Sequence, residues 1–564
     1  MRNLNLKTYL TNRREIMKIT KPFYISAIVA LTLTSCKTVN TIPVPAGTNN
    51  VVSLTAKKAP LTTKQQQSWG HADLATDTIP GMSIAKAYAF LEGKKGQTVV
   101  VGVVDSGSDL EHEDLVANAW INTKEIPNNG KDDDNNGFVD DINGWNFLGP
   151  IYKENAEVER ILKNPKLVDD AIYQKIKAAQ DKKIASAGTN KMRFTQMLQA
   201  VQFADNTLTA HFKKKEYTQD EVKSIKSDKV QLMQSVNIAK QMYGFGLVSL
   251  KQGVTEINKE IKKAEDLLSG ANLKTNYRAP LNDNAQDFTT NGYGDGKTGH
   301  AVEDEIHGTH VSGIIGAVRN NGKGMNGVAN NVKIMAIRVV PDGDEYDKDV
   351  ALGIRYAVDN GAKVINASFG KSYSPNKQWV YDAIKYAAEK DVLIVHAAGN
   401  DGKNIDVASN FPNDSDDLIT EFSDNLITIG ASNFMYNEKL PAEFSNYGKI
   451  NVDIFAPGVQ IYSTFPDEKY ESINGTSMAA PGVAGVAALI RSYYPKLSAS
   501  QVKHIIMNSG TKIDFDVVKP GTESQKNPKG ELISFAELSV SGRIVNAYNA
   551  LKMADRIVNG KTAN

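Results

Sequence analysis

Short apolar runs punctuate this chain from Trp69 onward, with polar and amphipathic stretches between them. The runs TVVVGVVD (98–105), VKIMAIRVV (332–340), AKVINASFG (362–370) and VLIVHAAGN (392–400) are rich in β-branched residues and continuous, not alternating. That pattern predicts strands buried on both faces of a parallel sheet. Residues 349–360 and 378–390 read as helices, so strands alternate with helices. The expected fold class is α/β, an open parallel sheet flanked by helices.

One long piece, 151–295, breaks this rhythm. It is rich in Lys, Glu and Gln, and Val254, Ile257, Ile261, Ala264 and Leu268 follow steps of three and four, the spacing of one helix face. Thr218 followed by Glu221 predicts a capping box, and Gly270 a helix stop. A hairpin-like helical insertion is expected here. It carries no catalytic constellation and reads as a packing or partner-binding accessory.

The beginning of the chain has another character. Lys18 and Lys21 precede an apolar run over 23–34, followed by Leu33-Thr34-Ser35-Cys36. The run is too short to span a bilayer and reads as an export signal, with Met17 a candidate start. The pattern resembles the lipobox of bacterial lipoproteins, which implies that Cys36 becomes a lipidated first residue. On that resemblance the protein is exported and is a membrane-anchored lipoprotein of the bacterial cell envelope. Cys36 is the single cysteine, so no disulfide can staple the fold. Residues 37–68 are polar and without periodicity, as a linker would be. Lys and Arg, 65 together, nearly balance 64 Asp and Glu, a charge balance that gives no indication of nucleic-acid binding.

In an open parallel sheet the ligand site lies beyond the carboxyl ends of the strands. Asp105, Ser368 and Asn400 each stand at or near such an end, polar after an apolar run. A buried carboxylate is costly without a partner, and a histidine is the natural one for Asp105. His307 opens HGTHVSGIIG, where Gly308, Ser312, Gly313 and Gly316 would let a helix approach the sheet closely. Ser477 stands in NGTSMAAPGVAGVAALI, at the start of a helix whose small residues let it sit deep in the core. A serine hydroxyl needs a base to take its proton, and the base needs its other ring nitrogen held by an acceptor.

These stretches resemble the subtilisin-like serine proteases, the subtilases. VVDSG matches the family's aspartate motif, HGTHVSG its histidine motif, NGTSMAAP its serine motif and AAGN its oxyanion motif, in the family's order. The resemblance implies that Asp105 orients, His307 is the general base, Ser477 is the nucleophile and Asn400 donates to the oxyanion with the Ser477 amide. It also implies that Ser368, Phe369 and Gly370, with Ala397 and Gly399, bind the substrate backbone. The expected activity is hydrolysis of peptide bonds in polypeptide substrates through an acyl-enzyme, by a monomer. The rival is a catalytically silent binding or scaffold protein on the same fold. The resulting organisation is a signal peptide (1–36), a linker (37–68), a catalytic domain in two parts (69–150 and 296–555) around the insertion, and a tail (556–564).

The loop DDDNNGFVDD adds a metal candidate. Asp132, Asp134 and Asn136 stand two apart, Gly137 follows, and Asp140 completes a set that resembles half of a calcium loop. Structural calcium is expected there; Asp114 with the loop at Asn320 is a weaker second site. His307 and His310 lack the neighbouring Glu of a zinc protease, Gly308 standing there instead. His112, His396 and His504 read as structural, and Asp401 as a candidate specificity residue or a solvated carboxylate. His307 follows Asp105 by 202 residues, so the insertion must leave and return at neighbouring points. Residues 37–68 are also too short for the folded propeptide usual in this family.

Overall fold

Beta-branched runs with no polar face can only be buried between two layers, and that is where they lie. The computed structural model describes residues 57 and 59–560, apart from 245, 246, 301, 303 and 525; the signal segment, Cys36 and most of the linker lie outside the described residues. The sheet uses β1 (Val99–Asp105), β2 (Gly144–Asn146), β3 (Val332–Arg338), β4 (Val364–Ala367), β5 (Leu393–Ala397), β6 (Leu426–Ser432) and β7 (Ile454–Pro457). Its order is β2, β3, β1, β4, β5, β6, β7, then the short strands Arg543–Ile544 and Thr511–Lys512. Every pairing is parallel except the last, which is antiparallel.

All four predicted strands are present, each trimmed to the residues that bond to a neighbour. Val101 and Val103 face one layer, with Val311, Ile314 and Val483. Val104 faces the other, with Ile354 and Ile384. The first layer holds the helices His307–Gly316 and Thr476–Tyr493; the second holds Asp347–Asp359 and Lys377–Glu389. Fully burying each such aliphatic side chain contributes about 1.5–3 kcal/mol.

Close approach, not bulk, sets the first layer. A Cβ placed on Gly308 would stand 2.0 Å from the carbonyl oxygen of Gly107, so only glycine lets the helix start against the end of β1. The Thr476–Tyr493 helix is buried along nearly its whole length. Pro481 lies in its second turn, early enough to disturb little of the backbone ladder.

The insertion is more than a hairpin. Asp170–Phe212 is one helix of 43 residues, packed against Val230–Gly244 and Leu250–Ser269 around its own core of Val201, Leu208, Val236 and Ile257. Thr218 and Glu221 form the expected capping box, and Gly270 caps the helix Leu250–Ser269 in the left-handed region at φ 61°. Ile257 and Ala264 are buried, whereas Leu268 is exposed. The chain leaves and returns at one point: Asn146 and Asp295 exchange backbone hydrogen bonds of 2.9 and 3.0 Å. That closure keeps the 202-residue gap from separating His307 from Asp105.

The linker reading does not hold at its end. Thr63–Ser68 is a helix, capped by Thr62, ahead of the buried Trp69. A six-residue helix shows no periodicity in sequence, which is why polar composition alone hid it. Among the described residues no helix is long and apolar enough to cross a membrane.

Candidate active site

Strand order reverses around β1: the chain runs out to β2 and β3 on one side and continues through β4 to β7 on the other. Such a switch point opens a crevice at the strand ends. Asp105 ends β1, and Ser368 follows β4, the strand paired with it. Register alone therefore places them side by side.

Asp105 is 1% exposed. Its Oδ1 accepts from the Ser106 amide at 2.8 Å and meets His307 Nδ1 at 2.7 Å. A carboxylate partner on Nδ1 puts the ring proton there and leaves Nε2 with its lone pair. Burial disfavours the imidazolium, but the Asp105 carboxylate outweighs it, so His307 titrates above the usual 6.5.

Ser477 is the second residue of its helix. Its Oγ donates to the Ser368 carbonyl at 3.0 Å, and Ser368 Oγ donates back to the Ser477 carbonyl at 3.0 Å. This double link ties the serine to the end of β4, next to Asp105. His307 and Ser477 share no hydrogen bond; in ligand-free enzymes such contacts are commonly long and tighten on binding. Rotation about one Ser477 bond frees its hydroxyl from Ser368.

Asn400 is held from one side only. Its Oδ1 accepts from the Thr476 amide and the Thr476 hydroxyl, both at 2.9 Å. Its Nδ2 has no acceptor among the described residues and lies beside Gly475, two residues before Ser477. An amide fixed through its oxygen presents its N–H groups outward. The loop behind it is equally constrained: Gly399 has φ 99°, and a Cβ there would come within 2.4 Å of Asn446 Nδ2. Asn446 is buried, accepts from the Asp401 and Lys403 amides and donates to the Ala398 carbonyl. Thr476 and Asn446 escaped the sequence reading because their work is done through other side chains and leaves no motif of its own.

Phe369 and Gly370 continue from Ser368 along one wall of a cleft of about 910 Å³ that also includes His307, Asp342, Asp344, Glu345 and Lys259 of the insertion. Ala397 ends β5. His396 Nε2 donates to the Phe369 carbonyl at 2.9 Å, and burial lowers its pKa to about 4, so it stays neutral and structural. His310 behaves alike: burial lowers it to about 3, and its Nε2 faces the Ile461 and Glu471 carbonyls. His112 is buried and bonded to backbone, while His504 is partly exposed and paired with Asp424. Asp401 is exposed and pairs with Lys403 at 3.2 Å.

The acidic loop is arranged differently from its linear spacing. Asp132 and Asp134 converge with Glu125, ligand oxygens of all three lying within 4.8 Å of one another. Asp140 instead accepts from the Asn129 and Gly130 amides, and Asn136 bonds to Phe138 and Asp141. Glu125 lies outside the spaced pattern, so only the folded loop reveals it. The three carboxylates repel one another; the amides of Asp133, Asp134, Asn136, Gly137 and Asp140 donate to them, and the Lys124 ammonium, 3.7 Å from Asp134, is exposed. The set therefore fits a hard, oxygen-seeking cation. Asp114 is satisfied by Asn321 Nδ2 and the Met325 amide.

The profile of the subtilase family (Peptidase_S8) matches residues 96–530, more than half of the chain. This chain belongs to the subtilase family. The subtilase is 38% identical over 267 residues to cell wall-associated protease of Bacillus subtilis, covering 46% of this chain and 28% of that protein. It is 40% identical over 208 residues to thermitase of Thermoactinomyces vulgaris (37% and 68% covered) and 38% identical over 208 residues to subtilisin DY of Bacillus licheniformis (37% and 71% covered). Family membership makes it a subtilisin-like serine endopeptidase. The silent-scaffold reading is not favoured.

Nuclear magnetic resonance of the His307 ring should give a pKa above 6.5, and Asp105→Asn should bring it below, since burial then acts unopposed. A wild-type value below 6.5 would contradict the pairing.

Proposed function

We propose that this subtilase hydrolyses peptide bonds through an acyl-enzyme, with Asp105, His307 and Ser477 as its triad and Asn400 in the oxyanion site. The observation that carries the reading is the 2.7 Å contact of His307 Nδ1 with a buried carboxylate, beside a serine tied to the neighbouring strand end. A peptide lies in the cleft along Ser368, Phe369 and Gly370, with Ala397 and Gly399 on the opposite side. Ser477 Oγ turns from the Ser368 carbonyl to His307 Nε2, which takes its proton as Oγ attacks the scissile carbonyl. The Asp105 carboxylate stabilises the imidazolium so formed. Asn400 Nδ2 and the Ser477 amide, unpaired in the first helical turn, donate to the developing oxyanion. His307 then gives its proton to the leaving amine, and a water repeats the sequence to release the acid.

The molecule acts on polypeptides outside the cytoplasm, held to the cell envelope by lipid on Cys36, and works as a monomer. The motif around Cys36 supports this reading, and Cys36→Ser should move the protein from the detergent phase to the aqueous phase on partitioning. Structural calcium bound by Glu125, Asp132 and Asp134 would neutralise their charge and brace the loop after β1. A chelator should then lower Tm by roughly 3 °C or more, and Glu125→Gln should abolish that difference. An unchanged Tm in the wild type would count against the ion.

On a fluorogenic peptide, kcat/KM should rise with pH through a pKa above 6.5, because only neutral His307 accepts a proton. Ser477→Ala should remove about 10⁶ of kcat, Asp105→Asn about 10⁴, and Asn400→Ala about 10² to 10³. Retention of wild-type kcat in purified Ser477→Ala would overturn the assignment.

A further inference from the structure

Glu345 lies on the wall of the cleft that holds His307 and Ser368, and it is 3% exposed. Its carboxylate makes no ion pair and no hydrogen bond to another residue among the described residues. Buried carboxylates are ordinarily paired, so its surroundings need a count of charge.

The cation that acts most on Glu345 is Lys371, directly after Gly370. Its ammonium is already engaged by Glu157 at 2.7 Å, Asp347 at 2.8 Å and the backbone carbonyl of Glu345 at 2.7 Å. Arg160 pairs with Glu157 at 3.0 Å, donates to the carbonyls of Asp344 and Glu345, and stacks over Tyr346. Four carboxylates, Glu157, Asp344, Glu345 and Asp347, thus share two cations. Among the described residues the Asp344 carboxylate accepts only from the Glu157 amide. The cluster is short of positive charge at Asp344 and Glu345, the two members that line the cleft.

Burial raises the Glu345 pKa to about 7; Lys371 and Arg160 oppose the shift, and Asp344 adds to it. Behind the cleft, Glu345 and Phe369 line a recess of about 10 Å³ with Asp347, Lys371, Lys377 and Val350, room for no more than a water. A substrate side chain therefore approaches Glu345 from the cleft of about 910 Å³, whose wall also carries Asp342 and Asp344, a lining suited to a long aliphatic stem with a cationic tip.

From this we infer that Glu345 selects a lysine or arginine side chain of the polypeptide substrate. The inference rests on the proposed peptidase activity and deepens it. An extended peptide beside Ser368–Gly370 presents alternate side chains to one wall, so a single position of the substrate should carry the preference. A cation there pairs a carboxylate that folding left alone, whereas a neutral side chain leaves it unpaired.

Full-length enzyme and fluorogenic peptides test this, with arginine or its neutral near-isostere citrulline placed in turn at each position flanking the scissile bond. At one position the arginine-to-citrulline ratio of kcat/KM should reach about tenfold or more, and Glu345→Gln should bring it below about threefold. The ratio should also rise with pH through about 7 in the wild type, because His307 titrates equally with both peptides and cancels. That third reading decides the matter even if Glu345→Gln does not fold. A ratio below threefold at every position, a preference that survives in folded Glu345→Gln, or a ratio flat across pH 7 would overturn the inference. Equal cleavage of both peptides would sink this inference alone, whereas cleavage of neither would sink the peptidase reading with it.

Discussion

A carboxylate at the end of a buried strand has to find a positive partner, and much of this molecule follows from how Asp105 finds one. β1 is an interior strand of the sheet and its last residue is buried, so solvent cannot satisfy it. The imidazole of His307 can, provided its helix begins within reach of the strand end. Gly308 makes that distance possible, and Asp105 in return holds His307 in the tautomer that leaves Nε2 available. In the proposed mechanism, the same contact that removes an energetic problem in folding also prepares a base. Stability and chemistry are coupled at one hydrogen bond.

The opposite partner is delivered by a helix built from residues with almost no bulk. Large side chains in 476–493 would have pushed its first turn away from β4; alanine and glycine bring it in and let Ser368 grip Ser477 from both directions. The insertion shapes the same region from outside. Its first helix, Glu157–Lys163, contributes the carboxylate that holds Lys371, and its helix Leu250–Ser269 places Lys259 on the cleft. An accessory element that looked remote along the chain therefore forms part of the cleft wall.

The central strands and the polar residues at their ends were legible because continuous β-branched runs have few other solutions. His307, Ser477 and Asn400 were legible because each sits in a short motif whose glycines and alanines permit close contact. What the sequence concealed shares a different property: it depends on residues meeting from distant segments. Glu125 completes an acidic group whose linear spacing pointed to Asp140, and the helix Thr63–Ser68 is too short for periodicity to mark. The three-helix body of the insertion was read as a hairpin because amphipathic spacing identifies a buried face without saying how many neighbours cover it. Glu345 stands in no motif, and only folding shows it buried beside two cations that are engaged elsewhere.

Convergence of an acid, a base and an alcohol is tested most directly by a fluorophosphonate, which reacts with a serine only when that serine is activated. Intact-mass and peptide mapping of the treated protein should place a single adduct on Ser477, and prior conversion of His307→Ala should prevent it. A folded wild-type chain that stays unmodified, or carries its adduct on another serine, would contradict the convergence on which the chemistry rests.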